Sequence, residues 1–220
     1  MKSFIRKLRE NDVGDMGIGA MIVFIAMVLV AGIAASVLIQ TANRLEIQAM
    51  TTGQQTTGEV STGLAVVDIE GQVDTQKISE MTITVKCRAG SSPIDLNQTV
   101  IEMTDGSKKV LLSYNSAKTW NFNSSVDTND GSVFGTGAWN ETNEEFGILV
   151  LNDIDGSVTS SLPVINRGDL VMLCISTTSC FSGLDPRDDI WGMVIPEEGS
   201  IGIFAFRVPS SLPDMVYDLY

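Results

Sequence analysis

The run from Ile18 to Ile39, IGAMIVFIAMVLVAGIAASVLI, constrains this chain more than any other feature. Its twenty-two residues include no charge and no proline. At ~1.5 Å rise per residue, a helix of that length is ~33 Å long, enough to cross a hydrocarbon core of ~30 Å. Every face of such a helix is apolar, so it must be buried all round, in lipid or among copies of itself. The two burials do not exclude each other. One helix can wait in a membrane and later pack into the core of a polymer.

Lys2, Arg6, Lys7 and Arg9 make the preceding segment positive, diluted by Glu10 and Asp12. A positive flank before an apolar segment is held on the cytoplasmic side. Three readings fit this arrangement. A conventional signal peptide has a shorter apolar region, ended by a small-residue A-x-A-like site; here Ala34-Ala35-Ser36 lies inside the run. An uncleaved N-terminal anchor is the second. The third is cleavage before the run, where Val13-Gly14-Asp15-Met16-Gly17-Ile18-Gly19 offers small residues to a peptidase at the membrane surface.

The block Gly14, Asp15-Met16-Gly17-Ile18-Gly19 and Ile22 to Ala31 resembles the N-terminus of archaellins, the filament proteins of the archaeal flagellum. Gly183 to Arg187, Gly192 to Gly199 and Phe206 to Pro209 are similar to the last strands of that family. The resemblance covers residues 13 to about 70 and about 160 to 220, and nothing is carried onto the middle. It implies an α+β fold: a long N-terminal hydrophobic α-helix followed by an antiparallel immunoglobulin-like β-sandwich. It implies a leader, residues 1–14, cut between Gly14 and Asp15 by a prepilin-type peptidase. A polymerisation helix, 15–60, and an outer β-sandwich domain, 61–220, would then follow.

The function so implied is that of a structural subunit, extracellular in the archaellum filament and used for swimming. Its partners would be itself or other archaellins, the prepilin peptidase, the membrane as a precursor, and the archaellum assembly machinery. An adhesive type IV pilin-like subunit is the alternative. Bacterial pilins carry Phe at mature position one and Glu at position five, where this chain has Asp15 and Gly19. A surface-anchored binding protein with an uncleaved helix is a third reading.

Composition narrows the chemistry. Without residues 1–14, ten Lys and Arg stand against twenty-five Asp and Glu, a net charge of −15. That argues against nucleic acid, whose phosphates need cations, and suits an exterior surface that resists non-specific association. There is no histidine, which removes the commonest general base and a common metal ligand. No G-x-x-x-x-G-K-[ST] is present, so nucleotide binding is not expected. The expectation is a protein that is not an enzyme and needs no cofactor. Cys174 and Cys180 could close a short disulfide loop, with Cys87 free in the core; alternatively all three are buried thiols acting as small apolar residues.

Along the chain, Gln40 to Met50 continues the helix with an amphipathic stripe of Ala42, Leu45, Ala49 and Met50. Thr51 to Gly63, with glycines at 53, 58 and 63, reads as a fraying helix end and linker. Beyond it lie about eight short apolar or alternating runs: Leu64 to Ile69, Met81 to Cys87, Thr99 to Met103, Lys109 to Tyr114, Phe146 to Leu151, Val171 to Ser176, Trp191 to Ile195 and Ile201 to Val208. Asp105-Gly106 reads as a hairpin turn, Asn166 to Asp169 and Pro196 to Gly199 as further turns. No helical period falls between the runs, which predicts an antiparallel sandwich or barrel. Residues 115–145 are polar with interspersed aromatics, Trp120, Phe122, Phe134 and Trp139. They read as a surface excursion whose aromatics either pin it to the sandwich or bind sugar.

Three N-x-S/T sequons mark candidate glycosylation sites, Asn97, Asn123 and Asn140. Asp127-Thr128-Asn129-Asp130-Gly131 and Asp153-Ile154-Asp155-Gly156 place oxygen ligands on glycine-containing turns. Calcium sites use such pieces, and so do plain Asx turns. Neither completes an EF-hand, so metal binding is left open.

Overall fold

The computed structural model describes the backbone of residues 2–121, 133–135, 137–139 and 144–220; side chains are described from Met16 onward, except at 120, 121 and 135. The chain forms two compact units, Met1–Gln55 and Thr56–Tyr220.

The first unit is helix alone. Helix α1 runs unbroken from Lys2 to Ser61, sixty residues. The expected fraying after Thr51 does not occur. Thr51 Oγ1 donates back to the Ile47 carbonyl at 2.9 Å, so its hydroxyl rests on the preceding turn and does not compete for a turn of its own. Gly53 and Gly58 cost helix propensity but do not break the element. Every side chain from Met16 to Gln55 is exposed in the single chain.

The second unit holds the strands: β1 (Leu64–Asp74), β2 (Lys77–Cys87), β3 (Ile94–Asp95), β4 (Val100–Thr104), β5 (Lys109–Asn121), β6 (Glu145–Asn152), β7 (Val164–Ile165), β8 (Leu170–Ser176), β9 (Asp189–Ile195), β10 (Gly202–Arg207) and β11 (Val216–Asp218). A short helix, α2, covers Thr177–Phe181. Nine strands form one sheet in the order β10-β9-β4-β5-β6-β8-β2-β1-β11, and β3 pairs separately with β7. The inward positions of both halves of the large sheet share one core. Ile101, Met103, Val194 and Phe204 from β4, β9 and β10 join Ile83, Val85, Leu173 and Ile175 from β2 and β8. Burying each such side chain is worth ~1.5–3 kcal/mol. Gly192, in the middle of β9, is forced by this packing: a Cβ there would stand 2.3 Å from the Phe204 ring.

The antiparallel expectation holds for every pair in the sheet but one. β5 runs parallel to β6, with Ser113 opposite Glu145 and Asn121 opposite Val150. Parallel neighbours need a long crossover between them, and the polar excursion after β5 is that crossover. β5 is also seven residues longer than the apolar run Lys109 to Tyr114. The crossover returns over the outer face of the sheet, where Phe134, Ala138 and Trp139 cover Leu149, Met172 and Cys174. The Phe134 and Trp139 rings pack at a tilt, with 5.5 Å between centroids. Gly147 makes this approach possible, because a Cβ there would lie 1.9 Å from the Ala138 carbonyl oxygen. These two aromatics are buried, so they pin the excursion and are not offered to a sugar. The other two, as side chains, lie outside the described residues.

Candidate functional site

Two features can carry function, an unpaired apolar helix and an acidic pair of turns. The helix comes first because its burial deficit is the larger. Ile18, Ile22, Phe24, Ile25, Met27, Val28, Leu29 and Ile33 are each at least half exposed. Among the described residues this is the one helix long and apolar enough to cross a membrane. Val23, Ala26, Met27, Val30, Ala31 and Ala34 line a shallow apolar groove along one face. Alanines at spacings of three to five keep that groove open, and small residues let a second helix approach closely. Gly14 and Asp15 lie in α1 by backbone; their side chains are outside the described residues.

The second feature is built by the turns before β7 and β8. Asp153 Oδ1 accepts from the backbone N–H of Gly156 at 2.7 Å and of Ser157 at 3.2 Å. Its Oδ2 accepts from Val158 N–H at 3.0 Å. Asn166 Nδ2 donates to Asp155 Oδ2 at 2.7 Å and to Ser157 Oγ at 3.1 Å, tying the first turn to the second. The Asn166 hydrogen bond, with help from Ser157, holds the Asp155 carboxyl below its ordinary range. Asp169 Oδ2 accepts from Asn166 N–H at 2.9 Å. One carboxylate oxygen each from Asp153, Asp155 and Asp169 lies within 4.8 Å of the others.

Asp169 is 3% exposed, and among the described residues its Oδ1 has no hydrogen-bond partner. A buried, half-satisfied carboxylate is costly, and a cation beside it would offset that cost. An all-oxygen donor set of three carboxylates suits a hard cation such as calcium. The Asx turns expected around Asp153 are therefore real, and they also assemble a group able to hold an ion. Sequence reasoning took Asp153 and Asp155 but missed Asp169, which lies across a hairpin-like return that no local spacing reveals. The turn Asn166-Arg167-Gly168-Asp169, with Gly168 at φ 106°, was its only signal. Asp127, Asn129 and Asp130 lie outside the described residues.

The expected bridge between Cys174 and Cys180 is not formed: all three cysteines are free thiols. The segment between them is a strand end followed by α2, not a loop. Thr177 Oγ1 donates to the Ile78 carbonyl at 2.6 Å and anchors that change of direction. Cys174 faces the outer apolar cluster, whereas Cys180 faces the main core. Two residues on opposite sides of a sheet cannot meet the short reach of a disulfide. Burial raises all three thiols, with Cys87 pushed up to about 11, so none is an activated nucleophile.

Of the three sequons, Asn97 is exposed in the turn before β4. Its N–H donates to Asp95 Oδ1 at 2.8 Å, and Thr99 is buried with Oγ1 donating to the Asp95 carbonyl at 3.1 Å. Asn123 and Asn140 lie outside the described residues.

The archaeal-type flagellin family model matches residues 14–206. Flagellin B2 of Methanocaldococcus jannaschii is 46% identical over 201 residues, covering 90% of each chain. Flagellin B1 of Methanococcus voltae is 37% identical, covering 98% of this chain and 99% of the relative. Among solved structures, the archaeal flagellin FlaB1 of Methanocaldococcus jannaschii has a TM-score of 0.63 at 23% identity, over 72% of this chain and 96% of that one. The archaeal flagellum of Methanospirillum hungatei has a TM-score of 0.60 at 14% identity, over 92% and 98%. The helix-then-sheet architecture is thus the architecture of these structures, and the chain belongs to the archaeal-type flagellin family.

Proposed function

We propose that this chain is the structural subunit of an archaellum filament, polymerising through α1 and serving swimming motility. The observation that carries the reading is the helix. Its whole apolar surface is exposed in the single chain, and water cannot be its final environment. Lipid can shield it in a precursor, and copies of the same helix can shield it in a filament. The family supports the second destination for the mature protein. The subunit acts alone or with other flagellins in the polymer.

The finer steps belong to the same reading. A prepilin-type peptidase cuts between Gly14 and Asp15 while the helix rests in the membrane, and the archaellum assembly machinery then draws the subunit out. The boundaries that follow are the leader 1–14, the polymerisation helix 15–60 and the outer domain 61–220. Asn97, Asn123 and Asn140 are the proposed glycan acceptors. Gly14→Val puts a β-branched side chain at the scissile bond; mass spectrometry should find the leader retained, and a product starting at Asp15 would reject this processing.

The deciding experiment is Val28→Asp. A carboxylate there costs ~2.5–3.5 kcal/mol at mid-bilayer, and more in a dry helix core where it stays unpaired. In a polymer the penalty recurs in every subunit. Electron microscopy should show no filaments and the cells should not swim. Normal filaments from Val28→Asp would remove α1 from the polymer core and favour an anchored binding protein.

A further inference from the structure

The outward face of β10-β9-β4-β5 carries large apolar side chains that stay exposed. Register places Ile203 opposite Met193, Met193 opposite Glu102 and Glu102 opposite Leu111. The next row is Ala205, Trp191, Thr104 and Lys109. Ile203 is 65% exposed, Leu111 57% and Trp191 50%. Ile203, Met193, Trp191 and Ala205 adjoin on β10 and β9 as an apolar patch, with Leu111 on the same face beyond the Glu102–Lys109 ion pair, and such patches mark interaction sites.

Charge decides what can cover it. Residues 56–220 carry nine Lys and Arg against twenty-three Asp and Glu. Two copies of this domain repel wherever their acidic surfaces meet. The four charges on the outward positions of this face are two of each sign. Lys109 Nζ lies 2.7 Å from Glu102 Oε1, and Arg207 Nε lies 3.5 Å from Asp189 Oδ1. The face is therefore neutral, and a like-charged neighbour meets less repulsion there than on the acidic remainder of the domain. In a filament, the helices already hold copies side by side at high effective concentration, so a modest apolar contact is enough.

We propose that this face, centred on Trp191 and Ile203, is where the β-domain of one subunit meets the next copy of this chain. The proposal rests on the filament reading. It makes the outer domains a second, weaker layer of the polymer around the helices.

The test is labelling of Ile203→Cys with a membrane-impermeant maleimide, on detergent-solubilised subunits and on intact filaments. Ser161→Cys, exposed and off the face, and the unmodified chain are run beside it. The expected result is a rate at residue 203 at least tenfold lower in filaments than in free subunits, with a smaller change at 161. Intact filaments that label equally fast at 203 overturn the contact and leave the polymer reading standing. Failure of the unmodified chain to form filaments strikes the polymer reading instead. Leu111→Glu provides a second arm by charging the face. Its filaments should fall apart at ~0.01 M salt, where screening reaches only beyond ~30 Å, and persist near 1 M, where it acts within ~3 Å. Filaments of that variant with no salt dependence also overturn the proposal.

Discussion

The two units of this chain solve the burial problem in opposite ways. The β-domain completes itself: Phe146, Phe204, Ile69 and Ile83 are fully buried, and one core serves both halves of the sheet. The helix completes nothing by itself, and its isoleucines and valines from 18 to 39 stay exposed. Both regions are rich in the same apolar residue types. The difference is periodicity. In β2, Met81, Ile83 and Val85 alternate with threonines and lysine, so one face can close over a core within the chain. In α1 the apolar residues surround the axis, and no single neighbouring face can cover them. A domain with one apolar face folds; a helix with apolar faces all round assembles.

The sharpest way to break this comparison is to truncate one isoleucine in each unit. Ile83→Ala opens a cavity in the β-domain and should cost ~2–5 kcal/mol, lowering its melting temperature by roughly 2–4 °C per kcal/mol. Ile33→Ala should leave that melting temperature unchanged and instead lower the temperature at which filaments dissociate. Equal destabilisation of the β-domain by both variants would erase the distinction.

A smaller effect is expected from the ion. Calcium at a hundredfold excess over its dissociation constant should stabilise the β-domain by ~2.7 kcal/mol, read as a rise in melting temperature reversed by a chelator. Asp169→Asn should abolish the response while leaving α1-driven assembly in place. A wild-type domain indifferent to calcium would show that the Asx turns serve structure alone.

The smallest effect lies at the β1 edge, where Glu70 stands directly opposite Asp218. Burial first, then Asp68 and Asp218, raise the Glu70 carboxyl above its ordinary 4.5. A raised folded-state value means that the native state holds the proton more tightly than the unfolded chain. Stability from this group is therefore present below the ordinary value and is lost as pH rises through the raised one. Glu70→Gln should stabilise the β-domain at pH 7 by ~0.2–1 kcal/mol, the scale of a cross-strand like-charge pair. The gain should vanish below about pH 4 in thermal melts.

Most strands were readable because a period of two survives wherever only one face is buried. β9 and β10 show it plainly, with Trp191, Ile203 and Ala205 outward and Ile190, Val194 and Phe204 inward. β3, β7 and β11 were not readable, since two or three residues carry no period. The stretch after Thr51 read as fraying because glycine and threonine signal a break only when no other interaction holds the turn. The cysteine pair was misjudged because closeness in sequence says nothing about which side of a sheet each residue faces.

The amino-acid sequence by itself determined that the N-terminal helix needs company and that the rest of the chain is a largely antiparallel, acidic β-domain. Hydrophobic period and charge are local properties, and they persist in any fold the chain adopts. Three things were decided only by tertiary structure. The excursion became a crossover between parallel strands, Asp169 joined Asp153 and Asp155, and Trp191, Met193 and Ile203 came to adjoin on the outward face of β9 and β10. Each of these depends on which strands lie side by side. That order is set by a shared core and by chain closure over many residues, and no window of sequence contains it.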